Sequence, residues 1–351
     1  MSAPEPVPPT QRVAPRGRSS LGQRPPAADW RIPGQVLRLA AVVAAALLAP
    51  LILGYLLQGT TAAIGVVLGF AAAIGPARMV PARFAAALTV PAAMAGAVAV
   101  EVHGNALPAA CFAALACLLV APANMYGNGL LAGVPTAAAF LASDPAAHDP
   151  GVVGGWMLVG GLALVALVSK LPGARPAPDR LDAWTAWVHA AAMAASAGAV
   201  VAVLNVVEVP HGAWIPVALT VALRPFRAET RTVARQRIVG TVVGALLGLV
   251  LALLVPPWLA LGLCGVLLVL LIATALLGRA TQQVVCLTPL IVLLGPSGLD
   301  AMATVRDRIL TTLVGALLAT LVALAIARLT REHERQSAPG GAAAQGSESV
   351  A

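Results

Sequence analysis

The chain has 351 residues, of which 59% are hydrophobic and 10% charged, with a net charge of +8 and a mean hydropathy of +0.89. A soluble domain carries roughly 45–50% apolar and about 25% charged residues, so this composition excludes one. The charge lies mainly at the two ends and in short loops between apolar runs, with no interleaving of basic and aromatic residues, which argues against nucleic acid as a partner.

Residues 1–35 are rich in Pro, Arg, Ser and Gln and read as a disordered tail. Twelve apolar segments follow, near 36–57, 60–75, 82–100, 105–121, 129–142, 152–169, 185–206, 212–223, 238–255, 258–278, 282–295 and 308–328. The runs are continuous and lack period-two alternation, so an all-α polytopic membrane protein with about 12 transmembrane helices is expected. A straight crossing takes about 20 residues. Segments 60–75, 129–142, 212–223 and 282–295 are shorter. They either extend into their polar flanks or are half-membrane pieces, which survive only inside protein or along a cavity. A linker at 170–184 separates a first membrane half, 36–169, from a second, 185–328, and 329–351 reads as a second disordered tail.

Lys and Arg in the loops set the expected orientation. The tail with Arg12, Arg16, Arg18, Arg24 and Arg31, and the loops with Arg78 and Arg83, with Lys170, Arg175 and Arg180, and with Arg224 to Arg237, all fall on one side. That side is the cytoplasm, and both termini belong there. Arg306 and Arg308 fall on the opposite side: they line a water-filled opening, or 282–295 does not cross. Cys111, Cys117, Cys264 and Cys286 sit in apolar runs without metal-ligand spacing and read as packing.

The chain also looks doubled. Gly75-Pro76, a basic loop and a helix opening with Arg83 and Thr89 resemble Trp214-Ile-Pro216, Arg224-Pro225, a basic loop and a helix opening with Arg237 and Thr241. An even number of segments between the two stretches predicts two six-helix repeats in parallel orientation.

The second half holds the candidate site residues. Arg224, Arg227, Arg231 and Arg235 recur every three or four residues and would form one stripe on a helix. The stripe either holds the loop inside and attracts anionic lipid or gathers anionic substrate at an inner mouth. Gly240, Gly244 and Gly248 share a face suited to close helix packing, as do Gly65 and Gly69. Thr241 and Thr312 either bond a carbonyl one turn back or face a neighbouring helix or a substrate. Arg237 and Arg308 each begin a long apolar run. They either snorkel to the headgroups or coordinate an anion, since a guanidinium fits a carboxylate in bidentate fashion. Asp307 is placed to neutralise Arg308. His189 and Asn205 stand within an apolar segment, a position that suggests a functional or interhelical role. His103, Glu208 and His211 read as outer-loop residues with a proton-coupling alternative. Asn124, Tyr126 and Asn128 mark a polar break.

Residues 211–248, with Trp214, Thr220, Pro225, Arg237, Gly240, Thr241 and Gly244, and the run from Arg308 through Thr312 to Gly315 carry a family pattern. It is a short helix with an aromatic residue and Thr, a polar bend, a basic stretch, and a helix opening with Arg-x-x-Gly-Thr. Over about 200–328 the chain resembles the fusaric-acid-resistance-like (FUSC) membrane family. It is similar to aromatic carboxylic acid exporters and more distantly to plant aluminium-activated malate channels. The resemblance implies a transporter or exporter of organic anions, aromatic carboxylic acids among them, in a bacterial inner membrane. Read from their own chemistry and position, Arg237, Arg308, Thr241, Thr312, His189, Trp214 and Thr220 are the substrate or pore candidates, with Gly315 in packing. Larger exporters of this kind carry a sizeable cytoplasmic domain, whereas the linker here is short, so any docking role of that domain does not transfer. Membrane lipids, a small organic anion and a second copy of the chain are the expected partners. No phosphate-binding loop or paired carboxylates mark an enzyme, and no cofactor or metal is expected. The alternative reading is a membrane scaffold or accessory protein without transport activity.

Overall fold

The computed structural model describes residues 31–127, 129–144, 149–170, 180–207, 209, 211–294 and 299–337. Most of both tails, most of the linker, Asn128 and Glu208 lie outside the described residues. Twelve helices are present among the rest: α1 (Gly34–Met79), α2 (Ala82–Glu101), α3 (Ala106–Leu118), α4 (Val120–Tyr126), α5 (Gly133–Leu141), α6 (Pro150–Ser169), α7 (Ala183–Val206), α8 (Trp214–Ala222), α9 (Arg227–Leu254), α10 (Pro257–Leu276), α11 (Ala280–Leu294) and α12 (Leu299–Ser337).

α1 is a helical hairpin and not a 46-residue rod. Gln58 leaves helical geometry and Gly59 takes φ 71°, a left-handed value that favours glycine. The arms 34–57 and 60–79 then lie side by side: a Cβ on Gly54 would stand 3.4 Å from that of Ala62, and Leu47 packs with Phe70, Ala73 and Ala77. At the hairpin tip the Trp156 indole N–H donates to the Gln58 side-chain oxygen over 2.6 Å. The expected segments 36–57 and 60–75 are therefore both present, the second lengthened at its C-terminal end.

Among the described residues, seven helices are long and apolar enough to cross a membrane: α1, α2, α3 with α4 as one stretch (Ala106–Tyr126), α6, α7, α9 and the 301–329 part of α12. The segments 129–142 and 212–223 became α5 and α8, of nine residues each. At ~1.5 Å per residue each covers about 14 Å, roughly half a ~30 Å hydrocarbon core. α5 is reached through turns at 129–132, where Gly129 has φ 85°. Such backbone is tolerated at depth when protein surrounds it, and every residue from Pro135 to Ser143 is buried. As straight helices, α5 and α8 therefore fall short of a full crossing.

The interior is built from small residues and the surface from large ones. Ala and Gly dominate the contacts, while Leu53, Leu56, Met94, Leu246, Leu254, Leu317 and Leu321 point outward. This is the pattern of helices packed in lipid, where close backbone approach holds the bundle together. α6 packs on α1 through Gly65, Gly69 and Gly160, each too close to the opposing backbone for a Cβ. α9 packs on α11 in the same way through Gly240, Gly244 and Gly248.

α3 lies against α7 and α5 against α8; α6 takes α1 and α2 as neighbours, and α9 takes α11 and α12. The two helix openings that look alike in sequence differ: Arg83 of α2 is exposed and stacks on Phe84 at 4.8 Å, whereas Arg237 of α9 is half-buried. The C-terminal stretch 329–337 continues α12, so helix replaces the first part of the expected tail.

Candidate functional site

α8 organises the site. Leu223 is already extended, and Pro225 disfavours helical geometry at Arg224 just before it. The break is secured by Thr230, which is fully buried: its hydroxyl accepts from the Arg224 N–H over 2.9 Å and lies 3.1 Å from the Arg224 carbonyl. Arg224 therefore precedes α9 and is half-buried, whereas Arg227, Arg231 and Arg235 are exposed along α9. The expected four-residue stripe is a three-residue stripe plus one inward arginine. Arg231 and Arg235 line a groove of about 570 Å³ with Thr232, Gln236, Val239 and Thr281.

Arg237 follows Arg235 by two residues, about 200° around the helix, and so leaves the exposed face. It is half-buried, and its Nε is buried with no hydrogen-bond partner among the described residues. Arg308 is 4% exposed. It lies two to three turns inside α12, because that helix begins at Leu299 and not near 308. The Arg308 guanidinium stacks on the Trp214 ring at 3.7 Å, and its Nε is likewise without a partner. Trp214 is held edge-on by Phe140 of α5, with ring centroids 5.3 Å apart.

Asp307 does not neutralise Arg308. Its carboxylate takes His211 Nδ1 at 3.2 Å on one oxygen and Arg306 at 3.1 Å on the other. Arg308 lies within electrostatic reach of Arg237, and Arg237 of Arg224. Arg224 also acts on His189, which is 4% exposed with Nδ1 unpartnered. Three guanidinium groups and an imidazole thus share the interior of the second half. Arg224 has Glu229 as a counter-charge, whereas the charge that Arg237 and Arg308 feel most is another arginine's. A buried cation without a counter-charge is destabilising by several kcal/mol, so this cluster is not explained by packing.

Hydroxyls surround it. Thr220 and Thr136 meet at 3.0 Å. Thr241 and Thr312 are 2% and 4% exposed, and Thr311 donates to the Asp307 carbonyl over 2.7 Å. Gly315 sets α12 against α8 at Ile215 and Ala218. Asn205 and His103 stand apart: Asn205 of α7 donates to the Ala142 carbonyl over 2.8 Å and accepts from the Gly104 N–H, while His103 Nδ1 lies 3.3 Å from the same carbonyl, tying the end of α5 to α7 and to the α2–α3 loop. Asn124 accepts from the Gly129 N–H over 3.0 Å and holds the turn before α5. Thr136 and Phe140 were not singled out from sequence. The available signal was a proline at the third position of both nine-residue helices, Pro135 in Gly133-Val-Pro and Pro216 in Trp214-Ile-Pro.

A lipid-facing helical bundle enclosing buried arginines defines a polytopic membrane protein with a cationic cluster in its second half. Residues 184–322, from α7 into α12, match the family described as Fusaric acid resistance protein-like. All the clustered arginines, His189, Trp214 and Thr220 fall within that stretch. No curated protein and no solved structure matches the chain.

Proposed function

We propose that the protein is a transporter or exporter of organic anions, with carboxylates attached to an aromatic ring as the favoured class. The observation that carries this reading is Arg308: buried, stacked on Trp214, its Nε unpartnered and its nearest charged influence another arginine. A guanidinium with one face on an aromatic ring keeps its N–H edge free for a carboxylate. The Phe140–Trp214 pair beside it, packed edge to face, offers an apolar flank to an aromatic body. The family match supports a role in transport or resistance. Arg227, Arg231 and Arg235 would draw anions, or anionic lipid headgroups, to the cytoplasmic end of α9.

Twelve apolar segments as two six-helix halves, with both termini in the cytoplasm of a bacterial inner membrane, remain the topology that best accommodates the basic loops. The test is initial flux of benzoate, phenylacetate and succinate in proteoliposomes of folded protein. Flux above that of empty vesicles for at least one anion is expected. No flux for any of the three would favour the scaffold reading.

A further inference from the structure

We infer that Thr136 and Thr220 form the constriction that a transported anion must pass between Arg224 and Arg308; this rests on the transport reading above. α8 carries Trp214, and through it Arg308, at one end, and Arg224 follows its other end. Eight helical steps of ~1.5 Å carry the chain about 12 Å from Trp214 to Ala222, and Arg224 lies beyond that end. Thr220 lies between them. α5 runs antiparallel alongside, so that Phe140 meets Trp214 and Thr136 meets Thr220. The hydroxyl pair therefore crosses the interval between the two arginines.

The contact is built to part. Each threonine hydroxyl has one proton, so only one can donate across the pair at a time. Each also has an acceptor in its own helix: the Ala132 carbonyl at 3.2 Å for Thr136 and the Pro216 carbonyl at 2.8 Å for Thr220. When the helices separate, both protons keep an acceptor, and opening strands neither of them. Each short helix is also fastened to its own half. A Cβ on Gly133 would overlap the Ala71 carbonyl of α1, and one on Gly315 of α12 would overlap Ala218 and the Ile215 carbonyl of α8. The long α3–α7 contact joins the halves elsewhere and supplies a fixed axis. α5 and α8 can thus part without either leaving its scaffold.

The experiment places cysteines at both positions, Thr136→Cys with Thr220→Cys, in the full chain in proteoliposomes, with benzoate, phenylacetate and succinate as probes. Wild type treated with the same oxidant controls for the native cysteines. Copper-phenanthroline should cross-link the pair and abolish flux, and dithiothreitol should restore it to its value before oxidation. As a second measurement, Thr136→Val keeps the shape but removes the hydroxyl. It should raise flux at subsaturating anion about fivefold per folded protein, the shift expected for losing one hydrogen bond of the closed state. Complete cross-linking with unchanged flux would overturn the constriction while leaving transport intact. Failure to cross-link would overturn the contact itself. Wild type without flux for any probe would remove the transport reading and this inference with it.

Discussion

Arg308 and Arg231 carry the same charge in opposite settings, and that difference separates binding from recruitment. Arg308 is enclosed and planar against Trp214. Arg308→Lys keeps the charge but loses the fork and the stack. It should weaken benzoate affinity by about tenfold, the scale of ~1–2 kcal/mol for a bidentate contact reduced to a point charge. The measurement is the KM for flux at matched protein level; an unchanged KM would assign Arg308 to structure alone. Arg231 is exposed beside the groove on α9. Arg231→Gln with Arg235→Gln should lower flux at low ionic strength and approach wild type at 0.15 M salt, where the screening length is about 8 Å. A deficit independent of salt would place these arginines in direct contact with substrate instead.

At the scale of single helices, two local devices can be tested. α7 begins at Asp182, whose carboxylate accepts from the Thr185 N–H over 2.9 Å. That backbone bond holds the Asp182 carboxyl below its usual range. A carboxylate depressed in the folded state contributes stability above its ordinary range and loses it as pH falls through the folded value. Asp182→Ala should therefore cost about 1 kcal/mol near neutral pH, and the gap from wild type should close on acidification below the ordinary carboxylate range. Thermal unfolding in detergent across pH reads this directly; a gap constant with pH would mean that the cap is not the cause. α9 meets α11 through its glycine face, where a Cβ on Gly244 would lie 2.9 Å from Thr288 Cβ and the Val285 carbonyl oxygen. Gly244→Leu should sharply reduce folded yield, whereas Leu246→Ile, on an exposed position, should not. Similar yields by size-exclusion chromatography would dismiss the packing role.

Across the whole molecule, the arrangement places two short helices between longer ones. α5 and α8, nine residues each, pack against one another, and the cationic cluster gathers around α8. Topology is testable at this scale. Both termini are expected in the cytoplasm, so Ser19→Cys and Ser337→Cys should resist an impermeant thiol reagent in intact cells and react after permeabilisation. Labelling of either site in intact cells would overturn that orientation.

Composition and periodicity alone determined the helical membrane class, because a lipid-facing surface excludes charge and a continuous apolar run is readable without knowing its neighbours. The residues that mattered in the second half were also legible, since Arg237, Arg308, Trp214 and Thr220 stand out within apolar surroundings. Tertiary structure alone decided which of them meet. The stack of Arg308 on Trp214 joins positions 94 apart in sequence, and the Thr136–Thr220 contact joins positions 84 apart. Local pattern carries no information about such pairs. The Asp307 carboxylate next to Arg308 looked like its counter-charge, yet it turns to His211 and Arg306. On a helix, successive side chains diverge by about 100°, so adjacency in sequence is separation in space. Arg224 left the stripe for the same kind of reason: Pro225 ends the helical register before α9 begins, and Thr230 then fixes the bend that turns Arg224 inward.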